Sequence, residues 1–141
     1  MIDVFLGFQV LVDLIEISKI VADAHDTDYI FLFGFLDGPG EALLDQISVI
    51  EDPDGAAVEL IQNGSFDDGL AHWRLLGNHQ RSRVIDDHGN SVLHLVSSGA
   101  TEYQGNQVET TLARGASVRD GIEYEISFRA RWLSGSRQVN S

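Results

Sequence analysis

The sequence contains no cysteine, which excludes a disulfide framework, a zinc knuckle and a thiol nucleophile. That absence leaves the compartment open, since many bacterial surface proteins lack cysteine too. Basic residues are scarce: 9 Lys and Arg stand against 22 Asp and Glu, for a formal charge of -13. Such a chain repels nucleic acid and anionic lipid, and no basic stripe interleaved with aromatics offsets the repulsion. Nucleic acid is therefore not an expected partner. There are only two prolines and no long stretch of 3.6-residue periodicity, so a helical bundle is not expected. No long hydrophobic run occurs either. Residues 4–12 (VFLGFQVLV) are apolar but too few to span a bilayer. The start carries Asp3 and no Lys or Arg, and Asp13, Glu16 and Lys19 break the apolar character of the next ten residues. The segment reads as neither a signal peptide nor a membrane helix, and no membrane partner is expected.

Catalytic signatures are missing as well. The chain has no Gly-x-Ser-x-Gly elbow, His-Glu-x-x-His, phosphate loop or dinucleotide fingerprint. Five histidines (25, 72, 79, 88 and 94) show no helical i, i+4 pairing. Asp86-Asp87-His88 groups two carboxylates with an imidazole, but Gly89-Asn90 directly after it makes the stretch a turn. Two suitably spaced carboxylates can hydrolyse a glycoside, yet nothing selects a pair. An enzyme is not expected.

What remains is a chain of 141 residues with a hydrophobic fraction of 43% and mean hydropathy of -0.04. That suits one ordinary globular core. The charge is unevenly spread. Residues 1–68 hold 15 acids and a single base, Lys19, whereas residues 69–141 hold 7 acids and 8 Arg.

Turn residues divide the chain into short β-rich runs. Residues 2–24 mix helical and strand signals. Residues 29–36 (YIFLFGFL) and 41–50 (EALLDQISVI) flank the turn Asp37-Gly38-Pro39-Gly40 and predict an antiparallel hairpin. Residues 51–56 form a polar linker with Pro53 and Gly55, the best candidate boundary. Beyond it, strands are expected near 57–62, 72–77, 81–86, 91–97, 106–113 and 122–133. Their close spacing points to an all-β antiparallel sandwich. The clearest strand puts Tyr124, Ile126, Phe128, Ala130 and Trp132 on one face and Glu125, Ser127, Arg129 and Arg131 on the other. The same parity turns Leu93 and Leu95 inward and His94 outward. If these strands share one sheet, His94, Gln107, Glu109, Ser127, Arg129 and Arg131 form a polar face, either simply solvated or a shallow ligand groove. The stretch 60–73 (LIQNGSFDDGLAHW) joins a short strand to two Gly turns around Phe66, expected as a buried plug.

NGSFDDGLAHW, GNSVLHLVSSG, NQVETTL and GIEYEISFRARWLSGS, taken in that order, resemble the family 4/9-type carbohydrate-binding modules. The likeness covers residues 58 to 141. It implies a galactose-binding-like jelly-roll β-sandwich. Such modules end in an acid-bearing strand that this chain does not reach, whereas residues 29–51 resemble the last hairpin of such a module. The resemblance therefore implies three parts: residues 1–50 as the end of a preceding module, 51–56 as linker, and 57–141 as a truncated module. Alternatively, hairpin 29–50 folds back and supplies the missing closing strands.

The function implied is non-catalytic binding of a polysaccharide or glycan within a larger extracellular or cell-surface protein, beside neighbouring modules of the same chain. Two alternatives stay open: a structural spacer or adhesion sandwich without a sugar site, and an accessory fragment of a glycoside hydrolase. Sugar recognition needs aromatic faces and planar hydrogen-bonding groups. Trp73, Tyr103 and Trp132 are the candidate platforms, and Gln107, Glu109 and Arg129 the polar contacts. Of the rings, Tyr103, in the glycine-rich loop 98–106, is expected to be exposed, while Trp132 falls on the apolar row. The family likeness also implies a structural Ca2+, with Asp67 and Asp45 at the matching acidic positions.

Overall fold

A computed structural model describes residues 7–9, 13–22, 29–34, 38–99, 106–135 and 138–140. Eleven strands make up nearly all of its regular structure: β1 (Gly7–Gln9), β2 (Asp13–Val21), β3 (Tyr29–Gly34), β4 (Gly40–Glu51), β5 (Val58–Glu59), β6 (Trp73–Leu75), β7 (Arg83–Asp87), β8 (Asn90–Ser97), β9 (Val108–Thr111), β10 (Glu123–Ser134) and β11 (Gln138–Asn140). They form two sheets with only antiparallel pairings. The first runs β1-β11-β3-β9-β6 and the second β2-β10-β4-β8-β7, with β5 added to β4. One apolar core takes Trp73 and Val108 from the first sheet and Leu44, Leu93, Leu95, Tyr124 and Phe128 from the second. The fold is an all-β antiparallel sandwich.

Each of the six strands expected beyond residue 56 is present near its expected place. β10 alternates in the expected way: Tyr124, Phe128 and Ala130 are buried in the core, and Ile126 and Trp132 pack against it. β7 and β8 are joined by His88-Gly89, both at positive φ (55° and 87°), which suits the two-residue turn that matches the twist of a hairpin. Asp86 accepts from the Gly89 N–H at 3.0 Å and Asp87 Oδ1 lies 3.0 Å from His88 Nδ1.

One expectation about the first third of the chain is corrected. Residues 29–36 and 41–50 do not pair as a hairpin. β3 joins β9 and β11 in the first sheet, whereas β4 lies between β8 and β10 in the second. Nor do the pairings divide at 51–56. That segment is a tight turn from β4 into β5, with Gly55 and Ala57 N–H bonded to the Asp52 carbonyl. The strands before it complete the sheets of the strands after it, which is the fold-back arrangement. The physical reason is burial: β4 carries apolar residues that only the centre of a sheet can cover on both sides.

The stretch 60–73 locks this arrangement. Asn63 (φ 55°) directs its amide to the carbonyls of Gly69 and Ala71 at 3.0 and 2.9 Å and accepts from the Asp68 N–H at 3.1 Å. Its own carbonyl takes the indole N–H of Trp73 at 2.9 Å. Phe66 is fully buried, its ring 5.3 Å from that of Trp73. Gly64 joins this hub to β4: its carbonyl accepts from the Ile47 N–H at 3.0 Å. A Cβ on Gly64 would collide with the Ile47 carbonyl.

His79 is fully buried in the turn Gly77–His79. Its Nδ1 lies 3.0 Å from the Val96 carbonyl, and Nε2 has no hydrogen-bond partner among the described residues. Burial holds its pKa below the ordinary 6.5, against a smaller opposing effect of the Val96 carbonyl.

Both contacts carry a measurable consequence. Gly64→Ala is expected to cost about 3 kcal/mol through overpacking against β4, read as a lower midpoint in urea unfolding with an unchanged slope. For His79, the fold keeps the ring neutral while the unfolded chain protonates it near the ordinary 6.5. Its contribution is complete above that pH and is lost as pH falls through 6.5 toward the lower folded value. Thermal unfolding between about pH 7.5 and 5 should therefore show a smaller loss of Tm in His79→Gln than in the parent; equal slopes would contradict the assignment.

Candidate functional site

In a sandwich the inward face of each sheet is core, so a ligand meets an outward face, an edge or a loop. Register assigns the outward face of the second sheet. Leu44 is opposite Leu93 and Ala130, all in the core. Leu43, one residue earlier, is therefore outward, in a row with Arg131, His94 and Arg83. Asp45 is outward too, opposite Arg129. Immediately after it the strand bulges: Gln46 has φ 51°, and the pairing with β10 slips between Ser127 and Arg129. The inserted residue lets Ala42 and Leu44 face the core before the bulge and Ile47 and Val49 after it.

This outward face is not simply a solvated surface. Leu43 and Val92 are buried, although neither belongs to the core cluster. Asp45 is also buried, only 5% exposed. Its Oδ1 accepts from the Gln46 N–H at 2.7 Å and its Oδ2 from the Asn90 amide at 2.8 Å. Arg131 reaches Asp87 at 3.2 Å. Those two residues start from β10 and β7, which have β4 and β8 between them. In a flat sheet the three strand spacings and the four-residue offset between Arg83 and Asp87 would put their backbones about 20 Å apart. The direct bond therefore requires the sheet and its β7–β8 hairpin to curl toward this side. His94 Nε2 lies 2.6 Å from Glu41 on the same face. This face thus combines an apolar floor of Leu43 and Val92 with planar polar groups of the kind that meet hydroxyls.

The expected site residues distribute unevenly around this face. Arg129 lies on it and is exposed. Gln107 and Glu109 do not: β9 belongs to the first sheet, where Glu109 pairs with Arg74 at 2.6 Å and accepts from the Gln107 amide at 2.7 Å. The polar face expected to unite them with His94 and Arg129 is thus split between two sheets. Trp73 is buried and hydrogen-bonded within the 60–73 hub, so it offers no stacking platform. Trp132 is half-buried against the core. Tyr103 lies outside the described residues. Asn90, Asp87, Glu41 and Leu43 are residues of this face that sequence reasoning misses. Their signal is the parity of β4, β7 and β8, readable only once these strands are known to share a sheet.

The acids implied for calcium can be tested against their surroundings. Asp45 comes from β4, inside the same sandwich as Asp67. The backbone bond between Ile47 and Gly64 brings their segments together. Both Asp45 oxygens already hold donors, however, and Asp67 accepts from Ser65 Oγ at 2.8 Å. Among the described residues no three His, Asp or Glu side chains gather in a metal-holding group. Calcium needs about six to eight converging oxygens, and among the described residues Asp45 and Asp67 gather no third acidic side chain.

No curated protein and no solved structure matches the chain. A family profile described as a carbohydrate binding domain, of the 4/9 type, matches residues 58–141, more than half of the sequence. Within that span lie β5–β11, and with them Arg83, Asp87, Asn90, His94, Arg129 and Arg131 of the outward face. The chain belongs to the carbohydrate-binding domain family.

Proposed function

We propose that this protein is a non-catalytic carbohydrate-binding module whose glycan lies across the outward face of the second sheet. The observation that carries the location is the buried Asp45 bonded to exposed Asn90. An acid 5% exposed on the outer side of a sheet is costly unless it organises something. Here it holds the Asn90 side chain beside exposed Arg129. Asn and Arg are planar groups that can meet adjacent hydroxyls two at a time. Leu43 and Val92 supply the apolar floor against which sugar C–H groups would rest. Because modules of this family generally bind without catalysing, attachment to a larger secreted or cell-surface protein completes the reading.

One observation favours a second reading, a structural spacer without a sugar site. Among the described residues the one large hydrophobic side chain that is exposed is Leu133, so no aromatic ring there stands ready for stacking.

Affinity electrophoresis against soluble plant, algal and bacterial polysaccharides separates the two. Retardation by at least one polymer is expected, weakened about tenfold by Asn90→Ala or Arg129→Ala, the loss of one charge-assisted hydrogen bond. Arg74→Ala, on the opposite sheet, should leave it unchanged. A folded protein that no polymer retards would leave the spacer reading in place.

A further inference from the structure

The cations of this acidic chain are mostly answered. Lys19 pairs with Asp54, Arg74 with Glu109, Arg119 with Glu51 and Arg131 with Asp87, while Arg114 donates to the Glu59 carbonyl. Among the described residues Arg81, Arg83 and Arg129 alone make no such bond. Two of these three, Arg83 and Arg129, are exposed on the outward face of the second sheet, on strands at opposite sides of β4 and β8. The acids of the same face are differently placed. Asp45 is held by Asn90 and the Gln46 N–H, Asp87 by Arg131, and Glu41 lies against His94. Glu125, at the far end of β10, sits opposite Lys19.

An unpaired guanidinium is a fork of donors matched to the two oxygens of a carboxylate. With 22 acids in the chain, leaving two arginines unanswered on one outward face is the exception in its charge pattern. Resting on the carbohydrate-binding reading above, we infer that this face selects a glycan bearing carboxylates, a polyuronate. Arg129 and Arg83 are its two anion contacts, one on each flank of the Arg131–Asp87 bridge. They stand on β10 and β7, the strands either side of β4 and β8, so each can take a carboxylate of one glycan chain. The long-range field of the chain opposes any polyanion, so selectivity must come from these local contacts.

The test compares polygalacturonate with its fully methyl-esterified form, which keeps the backbone and removes the charge. Isothermal titration is expected to show about a hundredfold tighter binding to the free acid, the scale of two charge-assisted contacts. Arg129→Gln or Arg83→Gln should each remove about tenfold of that preference, and Arg74→Gln on the other sheet should remove none. Both arginines are exposed and make no ion pair among the described residues, so the variants should match the parent in Tm. Equal binding of both polymers, or of a neutral glucan or xylan alone, would overturn the uronate assignment and leave the carbohydrate-binding reading standing. A free-acid preference that survives both substitutions would overturn the assignment to this face. Failure to bind any polymer, charged or neutral, would overturn both readings.

Discussion

The contact between Gly64 and Ile47 holds the two halves of the chain together. Residues 60–73 are polar and turn-rich, and alone they would have little to fold against. The Ile47 N–H gives them a fixed anchor at the Gly64 carbonyl, and the missing Cβ lets the backbones meet. Once Gly64 is set, Asn63 can bond both sides of its own loop and Trp73 can close over Phe66. Each such hydrogen bond is worth only about 1 kcal/mol, and an aromatic pair adds about 1 kcal/mol beyond burial. Their effect is cumulative because all converge on one short segment. The hub is thus a clamp on β4, contributed by residues that come after it in the chain.

β4 uses that clamp to serve two environments at once. Before Gln46 its even positions face the core, and after Gln46 its odd positions do. Without the extra residue, Ile47 and Val49 would turn outward and the polar face would be lost. The change is visible in the sequence: Ala42 and Leu44 alternate on one parity, Ile47 and Val49 on the other. A strand that switches parity without a break must bulge. Reading EALLDQISVI as one uninterrupted strand hides this, and with it the reason Asp45 sits buried among outward groups.

The sequence is most legible where alternation alone decides the outcome. The two faces of β10, the inward Leu93 and Leu95, the buried Phe66 and the Asp86–Asn90 turn all depend on neighbours within a few residues. Alternation says which side of its own sheet a residue takes, but not which sheet. A correct parity with an unknowable partner therefore groups Gln107 and Glu109 with Arg129. The same gap explains the expected β3–β4 hairpin. Asp37-Gly38-Pro39-Gly40 is a turn signal in the sequence, but β3 before it belongs to one sheet and β4 after it to the other. Proximity in sequence favours pairing between successive strands, and here the need to bury β4 on both edges prevails.

The chain's acidity and its candidate site can be understood together. With an excess of acids, three of the described arginines, Arg74, Arg119 and Arg131, are drawn into ion pairs. An exposed pair contributes little stability, about 0–1 kcal/mol, so these partnerships do more to set where charge remains available than to hold the fold. Asp45 stays beside Arg129 in the register, but burial and its two donors turn its oxygens away to the Gln46 N–H and Asn90. The bulge that preserves the core therefore also decides which acid Arg129 does not bind. A packing constraint on the inner face of β4 in this way leaves Arg129 without its cross-strand acid on the outer face.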